Sequence, residues 1–141
     1  MSESGKGLLA LQRVSARPLA LGTGPLGDPE VIRMEYEPDD LIVVVRSLSS
    51  GLEYSLRFGA VIGFRVLDEG DLLEFWPECS TMSGSWAFEI TSDGWLAGEF
   101  KRSGSLIGHM SPEAREFFVA GTNSCVSVIG WNEPVLKMNS R

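Results

Sequence analysis

The sequence predicts a single α+β domain, built on a mostly antiparallel, strongly curved β-sheet with two or three short helices added to it. Seven strand-like segments follow one another through short loops, and the helix-like segments do not alternate with them as they would in a parallel fold. The chain has 141 residues, of which 43% are hydrophobic and 22% charged. This number of hydrophobic residues is enough to form the core of one domain. Residues 1–7 are small and polar, so we expect a disordered tail followed by a domain over residues 8–141.

Side-chain alternation and β-branched runs mark the strands. The predicted strands are 31–37, 41–48, 52–58, 61–67, 85–91, 117–120 and 125–129. Strand 52–58 is the clearest, with Leu52, Tyr54, Leu56 and Phe58 on one face. The loops between residues 41 and 67 leave little room for crossover helices, so these central strands should pair antiparallel in sequence order. In strand 85–91, Trp86 and Phe88 should share a buried face.

Three segments carry helix signals. Residues 68–76 gather acids at their start, where the helix dipole favours negative charge, and Pro77 stops the pattern. Asp93 is placed to cap a second helix that runs to Phe100. Ser111 followed by Pro112 resembles a third helix start.

The region before the first clear strand resists assignment. Residues 8–17 fit either a short strand or a helical turn. Residues 22–27 match the pattern G-x-G-x-x-G, which binds dinucleotides only between a strand and a helix. Here Pro25 removes a backbone N–H and a strand follows, so the run predicts a linker and no cofactor site.

The residue types that carry catalysis are scarce. His109 is the single histidine, and no activated serine or cysteine pattern accompanies it. Cys79 and Cys125 are too far apart for a zinc site and are expected to be reduced thiols. The acids from Asp68 onward lack the spacing of a calcium loop. We therefore expect no catalytic residue, no metal and no enzyme.

The net charge of −7 is concentrated in the middle of the chain. Residues 28–78 hold twelve carboxylates and four arginines, a balance that argues against nucleic-acid binding. No apolar run is long enough to span a bilayer or to form a signal peptide, so a cytoplasmic location is expected.

Acidic residues grouped with an aromatic side chain are typical of a surface that binds a basic protein. The candidate partner-binding residues are Asp39, Asp40, Asp68, Glu69, Asp71, Glu74, Trp76 and Glu78.

Two stretches of the chain resemble small bacterial immunity proteins of polymorphic or contact-dependent toxin systems. They are FRVLDEGDLLEFW (residues 64–76) and GTNSCVSVI (residues 121–129). The resemblance implies a compact cytoplasmic protein that binds and blocks a toxin, often a nuclease with a basic active site. It carries over no individual functional residue. The alternative interpretation is a small ligand-binding domain or hydrolase-like enzyme that uses carboxylates in a pocket of the curved sheet.

Overall fold

Nine β-strands form two antiparallel sheets in the computed structural model, which describes residues 13–21, 28–68, 75, 79 and 85–139. The strands are β1 (Ser15–Pro18), β2 (Pro29–Glu37), β3 (Asp40–Ser47), β4 (Glu53–Gly59), β5 (Gly63–Leu67), β6 (Ala87–Ser92), β7 (Arg115–Ala120), β8 (Cys125–Gly130) and β9 (Val135–Met138). Among the elements that lie within the described residues, two short helices accompany them, α1 (Trp95–Lys101) and α2 (Ile107–Met110). The antiparallel α+β prediction is therefore confirmed.

The strands divide into a five-stranded sheet, in the order β1-β6-β7-β8-β5, and a four-stranded sheet, in the order β2-β3-β4-β9. Neither sheet is strongly curled, so the single curved sheet expected from the sequence is replaced by two flatter ones. The predicted pairing of β3 with β4 is confirmed, but β5 does not pair with β4. The chain turns at Ala60, which has a φ of 51°, and β5 then joins β8 in the other sheet.

The main core lies between the two sheets. Alternate residues of β3 and β4 point inward, among them Val43, Leu56 and Phe58, and all three are fully buried. The five-stranded sheet contributes residues such as Phe117 and Val128. The rings of Phe58 and Phe117 are 5.8 Å apart. Each large side chain buried in this way contributes about 1.5–3 kcal/mol of transfer free energy.

A second cluster covers the other face of the five-stranded sheet. Phe75 stacks on Phe118 with the ring centroids 4.6 Å apart, and Phe88 and Ile90 join them. Trp86 is buried as predicted, but it packs in the core between the sheets. It precedes β6, so the alternation that places Phe88 and Ile90 on one face does not extend to it.

The remaining local expectations have mixed outcomes. Residues 15–18 form a strand. For residues 15–17, the strand is therefore the correct one of the two alternatives that the sequence left open. Asp93 does not cap α1, whose N-cap is Gly94. Ser111 ends α2 and starts no helix of its own. Residues 1–12 and 22–27, and residues 69–74 and 76 of the helix predicted over 68–76, lie outside the described residues.

Candidate partner-binding surface

One side of the sandwich is formed by β2 and β5, each an outer strand of its sheet among the described residues. The two strands meet through Tyr36 and Phe64, whose ring centroids are 5.3 Å apart. Phe64 packs partly against the core between the sheets. We call this region the β2–β5 side.

The β2–β5 side exposes apolar side chains. Ile62, Phe64 and Val66 alternate along the chain and therefore point to the same face of β5. That face is only partly covered, because Ile62 is 41% exposed and Val66 is 47% exposed. Tyr36 is 56% exposed. Exposed apolar side chains grouped in this way are a feature of protein-interaction surfaces.

Acidic residues follow Tyr36 at the β2–β3 turn. Glu37 and Asp39 are exposed, as a partner-binding role for Asp39 requires. Asp40 is less available, because Nε and Nη2 of Arg57 both donate hydrogen bonds to its Oδ2 atom. The negative charge at this end is therefore carried mainly by Glu37 and Asp39.

Asp68 lies at the opposite end of the β2–β5 side. The N–H of Ala60 donates to the carbonyl of Asp39 at 2.7 Å, so β5 begins beside the β2–β3 turn. It then runs away from that turn to Leu67, which pairs with Cys125. A five-residue strand spans about 16 Å. Asp68 is thus separated from the acids of the β2–β3 turn by about the length of a strand.

Asp68 itself is exposed. The other candidates of its segment lie outside the described residues; they are Glu69, Asp71, Glu74, Trp76 and Glu78. Phe75, between them in sequence, is fully buried. Its ring stacks on that of Phe118 in the five-stranded sheet.

Glu89 is a buried carboxylate held by arginines. Arg115 binds it with two hydrogen bonds, from Nε at 2.8 Å and from Nη2 at 2.7 Å, and Arg17 donates a third. The hydrogen bond from Arg115 is the main cause that lowers the pKa of Glu89, against an opposing effect of burial. The same pairing raises the pKa of Arg115. Glu89 therefore stays ionised and acts as a structural anion.

Glu116 is the second buried carboxylate, 1% exposed. Its Oε2 accepts a hydrogen bond from the N–H of Trp95 at 3.2 Å, and its Oε1 accepts one from the N–H of Leu96 at 2.8 Å. These are two of the N–H groups that the first turn of a helix leaves without intrahelical partners. Glu116 thus caps α1 from a neighbouring strand.

The remaining reactive residue types are dispersed. His109 is exposed in the last turn of α2, and the side chains of Cys79 and Cys125 are both buried. Within the described ranges no three metal-ligating side chains group together. No helix in that part of the chain is both long and apolar enough to cross a membrane.

Comparison of the chain with family models, curated proteins and solved structures finds no match. The resemblance to immunity proteins therefore stays a prediction. Sequence reasoning also missed the apolar part of the β2–β5 side, since Tyr36 was assigned only to an alternating strand. The signal lay in the charged residues between the apolar ones in β2, namely Arg33, Glu35 and Glu37, because charged side chains are typical of outer strands.

Proposed function

We propose that this chain is a protein-binding module whose β2–β5 side docks a partner with a basic surface. In its most specific form, the proposal is that the partner is a bacterial toxin and that binding neutralises it. The observation that carries it is the combination of Tyr36, Ile62 and Val66, exposed on one side, with acids at both ends.

The two kinds of residue have different roles in such an interface. Exposed aromatic and aliphatic side chains lose contact with water on docking and mainly determine how slowly the complex dissociates. Acidic side chains at the rim attract a basic partner and mainly raise the association rate. A toxin that acts on nucleic acid needs a positive cleft, which an acid-rimmed apolar surface complements.

The alternative function, a hydrolase that uses paired carboxylates, receives less support. Glu89 is held ionised by two arginines, and both oxygens of Glu116 accept backbone hydrogen bonds. General acid catalysis needs a carboxyl group that is protonated near neutral pH. The pairing of Glu89 with Arg115 and Arg17 favours the deprotonated carboxylate instead.

The apolar part of the proposal is tested with Val66→Thr, a change of nearly equal volume. The partner is first isolated by co-purification from the source cells and identified. Burying a hydroxyl without a hydrogen bond costs about 1–3 kcal/mol, so dissociation should become about tenfold faster. Val135→Thr is the matched control, because Val135 is an exposed β-strand valine on the outer face of the other sheet. Equal dissociation rates for the two variants would contradict docking through Val66.

The absence of a catalytic role for His109 is tested in cells. His109→Ala should protect cells that express the partner toxin as well as the wild type does, because binding through the β2–β5 side does not use this residue. A folded His109→Ala protein that fails to protect would count against the binding-module proposal.

A further inference from the structure

The outer face of the four-stranded sheet contains an open cavity of about 410 Å³. Six side chains from three neighbouring strands and the residue after β9 line it: Ile42, Ser55, Arg57, Val135, Lys137 and Asn139. Its volume lies in the range of small-molecule sites. Its lining shares no residue with the β2–β5 side and extends to β9, the outer strand at the opposite edge of the four-stranded sheet.

Strand register brings the lining together. Ile42 pairs with Arg57, and Arg57 pairs with Val135, so these three form one row across the sheet. Ser55 pairs with Lys137 in the next row. Side chains placed by paired strands are held more rigidly than those on loops.

The polar groups of this cavity are mostly hydrogen-bond donors. Arg57 is oriented by its bonds to Asp40, which lies outside the lining. Lys137 has no acidic partner within the described residues. The hydroxyl of Ser55 donates to Oδ1 of Asn139 at 2.7 Å, which leaves the NH₂ group of Asn139 to meet a ligand.

The lining therefore presents positive charge on a strongly acidic protein. Two cationic side chains, Arg57 and Lys137, and no carboxylate line the cavity, although the net charge of the whole chain is −7. Ile42 and Val135 add an apolar surface beside these donors. Cationic donors next to an apolar surface complement an organic anion.

We propose that this cavity binds a small organic anion, with its carboxylate or phosphate group between Arg57 and Lys137 and its aliphatic part on Ile42 and Val135. The site is independent of the partner-binding proposal, since it shares no residue with the β2–β5 side.

The test is an NMR titration of the full ¹⁵N-labelled chain with hexanoate, hexyl phosphate and hexylammonium. Both anions should shift the amide signals of Ile42, Val135 and Asn139, and the tighter of the two identifies the preferred anionic group. Hexylammonium, which has the same aliphatic chain and the opposite charge, should bind at least about fivefold more weakly.

Lys137→Gln should weaken hexanoate binding about three- to fivefold, the effect of one exposed charge pair. Lys101→Gln is the matched control, because Lys101 is an exposed lysine on α1. Equal affinity for hexanoate and hexylammonium, or equal effects of the two lysine substitutions, would overturn the proposal. Val66→Thr should bind hexanoate as tightly as the wild type does. A failure of anion binding can therefore be distinguished from a failure of partner binding through the β2–β5 side.

Discussion

At the scale of single residues, Glu116 and Gly94 depend on each other. The carboxylate of Glu116 reaches the first turn of α1 only because residue 94 lacks a side chain. A Cβ atom at that position would lie 2.6 Å from Oε1 of Glu116 and 2.7 Å from Cγ2 of Ile90. The N-terminus of α1 is therefore packed directly on the buried carboxyl group of Glu116, whose oxygens accept its first N–H groups.

Gly94→Ala should lower the free energy of unfolding by about 1–3 kcal/mol, because the added methyl group forces Glu116 and Ile90 to move. Gly98→Ala is the matched control within the same helix, since a Cβ atom there meets nothing within 4 Å. That control should raise the free energy of unfolding by about 0.5–1 kcal/mol through helix propensity. Urea denaturation measures both, and equal effects of the two substitutions would show that Gly94 is not constrained by the carboxylate.

The pairing of Glu89 with Arg115 makes stability depend on pH. The charged groups that face Glu89 are Arg115 and Arg17, with Glu133 bound to both arginines. The folded state lowers the pKa of Glu89. The contribution of Glu89 to the free energy of unfolding is therefore complete above the ordinary pKa of a glutamate, about 4.3. It is lost as the pH falls through the lower pKa that Glu89 has in the folded state.

Arg115→Met should lower the free energy of unfolding by about 2 kcal/mol at pH 7. The difference from the wild type should shrink well below pH 4, where Glu89 becomes protonated in both proteins. Arg102→Met removes an exposed pair with Glu99 instead and should have little effect at either pH. A loss for Arg115→Met that stays constant from pH 7 to low pH would mean that packing, such as the contact of Arg115 with the Phe117 ring, accounts for it.

At the scale of elements, the β7–β8 turn ties the two sheets together. The side chain of Asn123 accepts a hydrogen bond from the N–H of Val31 at 3.0 Å and donates one to its carbonyl at 2.7 Å. The N–H of Thr122 donates to the carbonyl of Pro29 at 2.9 Å. The first residues of β2 are therefore positioned by a turn that belongs to the other sheet.

Asn123→Ala should lower the free energy of unfolding by about 1–2 kcal/mol and speed amide hydrogen exchange at Val31, because two hydrogen bonds are lost. Thr122→Ala leaves the backbone bond to Pro29 in place and should change both quantities little. Unchanged exchange at Val31 in Asn123→Ala would show that this contact does not hold β2.

The same elements show what the sequence can predict. Strands 117–120 and 125–129 and the pairing of β3 with β4 depend on local turns and alternation, and all of them were predicted. The placement of β5 was not, because its alternation is the same in either sheet and its partner, β8, is remote in sequence. The cap of α1 was assigned to Asp93, whereas Glu116 supplies it from about twenty residues away. At the candidate site, the acids were evident from composition. The exposure of Val66 could not be predicted, because it depends on how the two sheets overlap.

At the scale of the whole molecule, the described acids of the β2–β5 side form two separate groups. Glu37 and Asp39 lie at the β2–β3 turn, and Asp68 lies about 16 Å away along β5. That distance exceeds the Debye length of about 8 Å at physiological salt. Each group should therefore act on the partner independently.

This independence gives the last prediction. Glu37→Gln with Asp39→Asn, and separately Asp68→Asn with Asp71→Asn and Glu74→Gln, should each slow association and weaken its salt dependence, because rim charges act mainly on encounter. At physiological salt, the factors by which the two sets slow association should multiply when they are combined.

Stopped-flow measurements with the isolated partner at two salt concentrations test this prediction, with thermal stability expected to change little. Glu113→Gln is the control, since Glu113 is an exposed acid outside β2 and β5, immediately before β7. If only one set slows association, the partner lies over that end of the β2–β5 side. If neither set does, both groups are merely solvated, and the proposal of a basic toxin loses its electrostatic support while docking through Val66 stands on its own test.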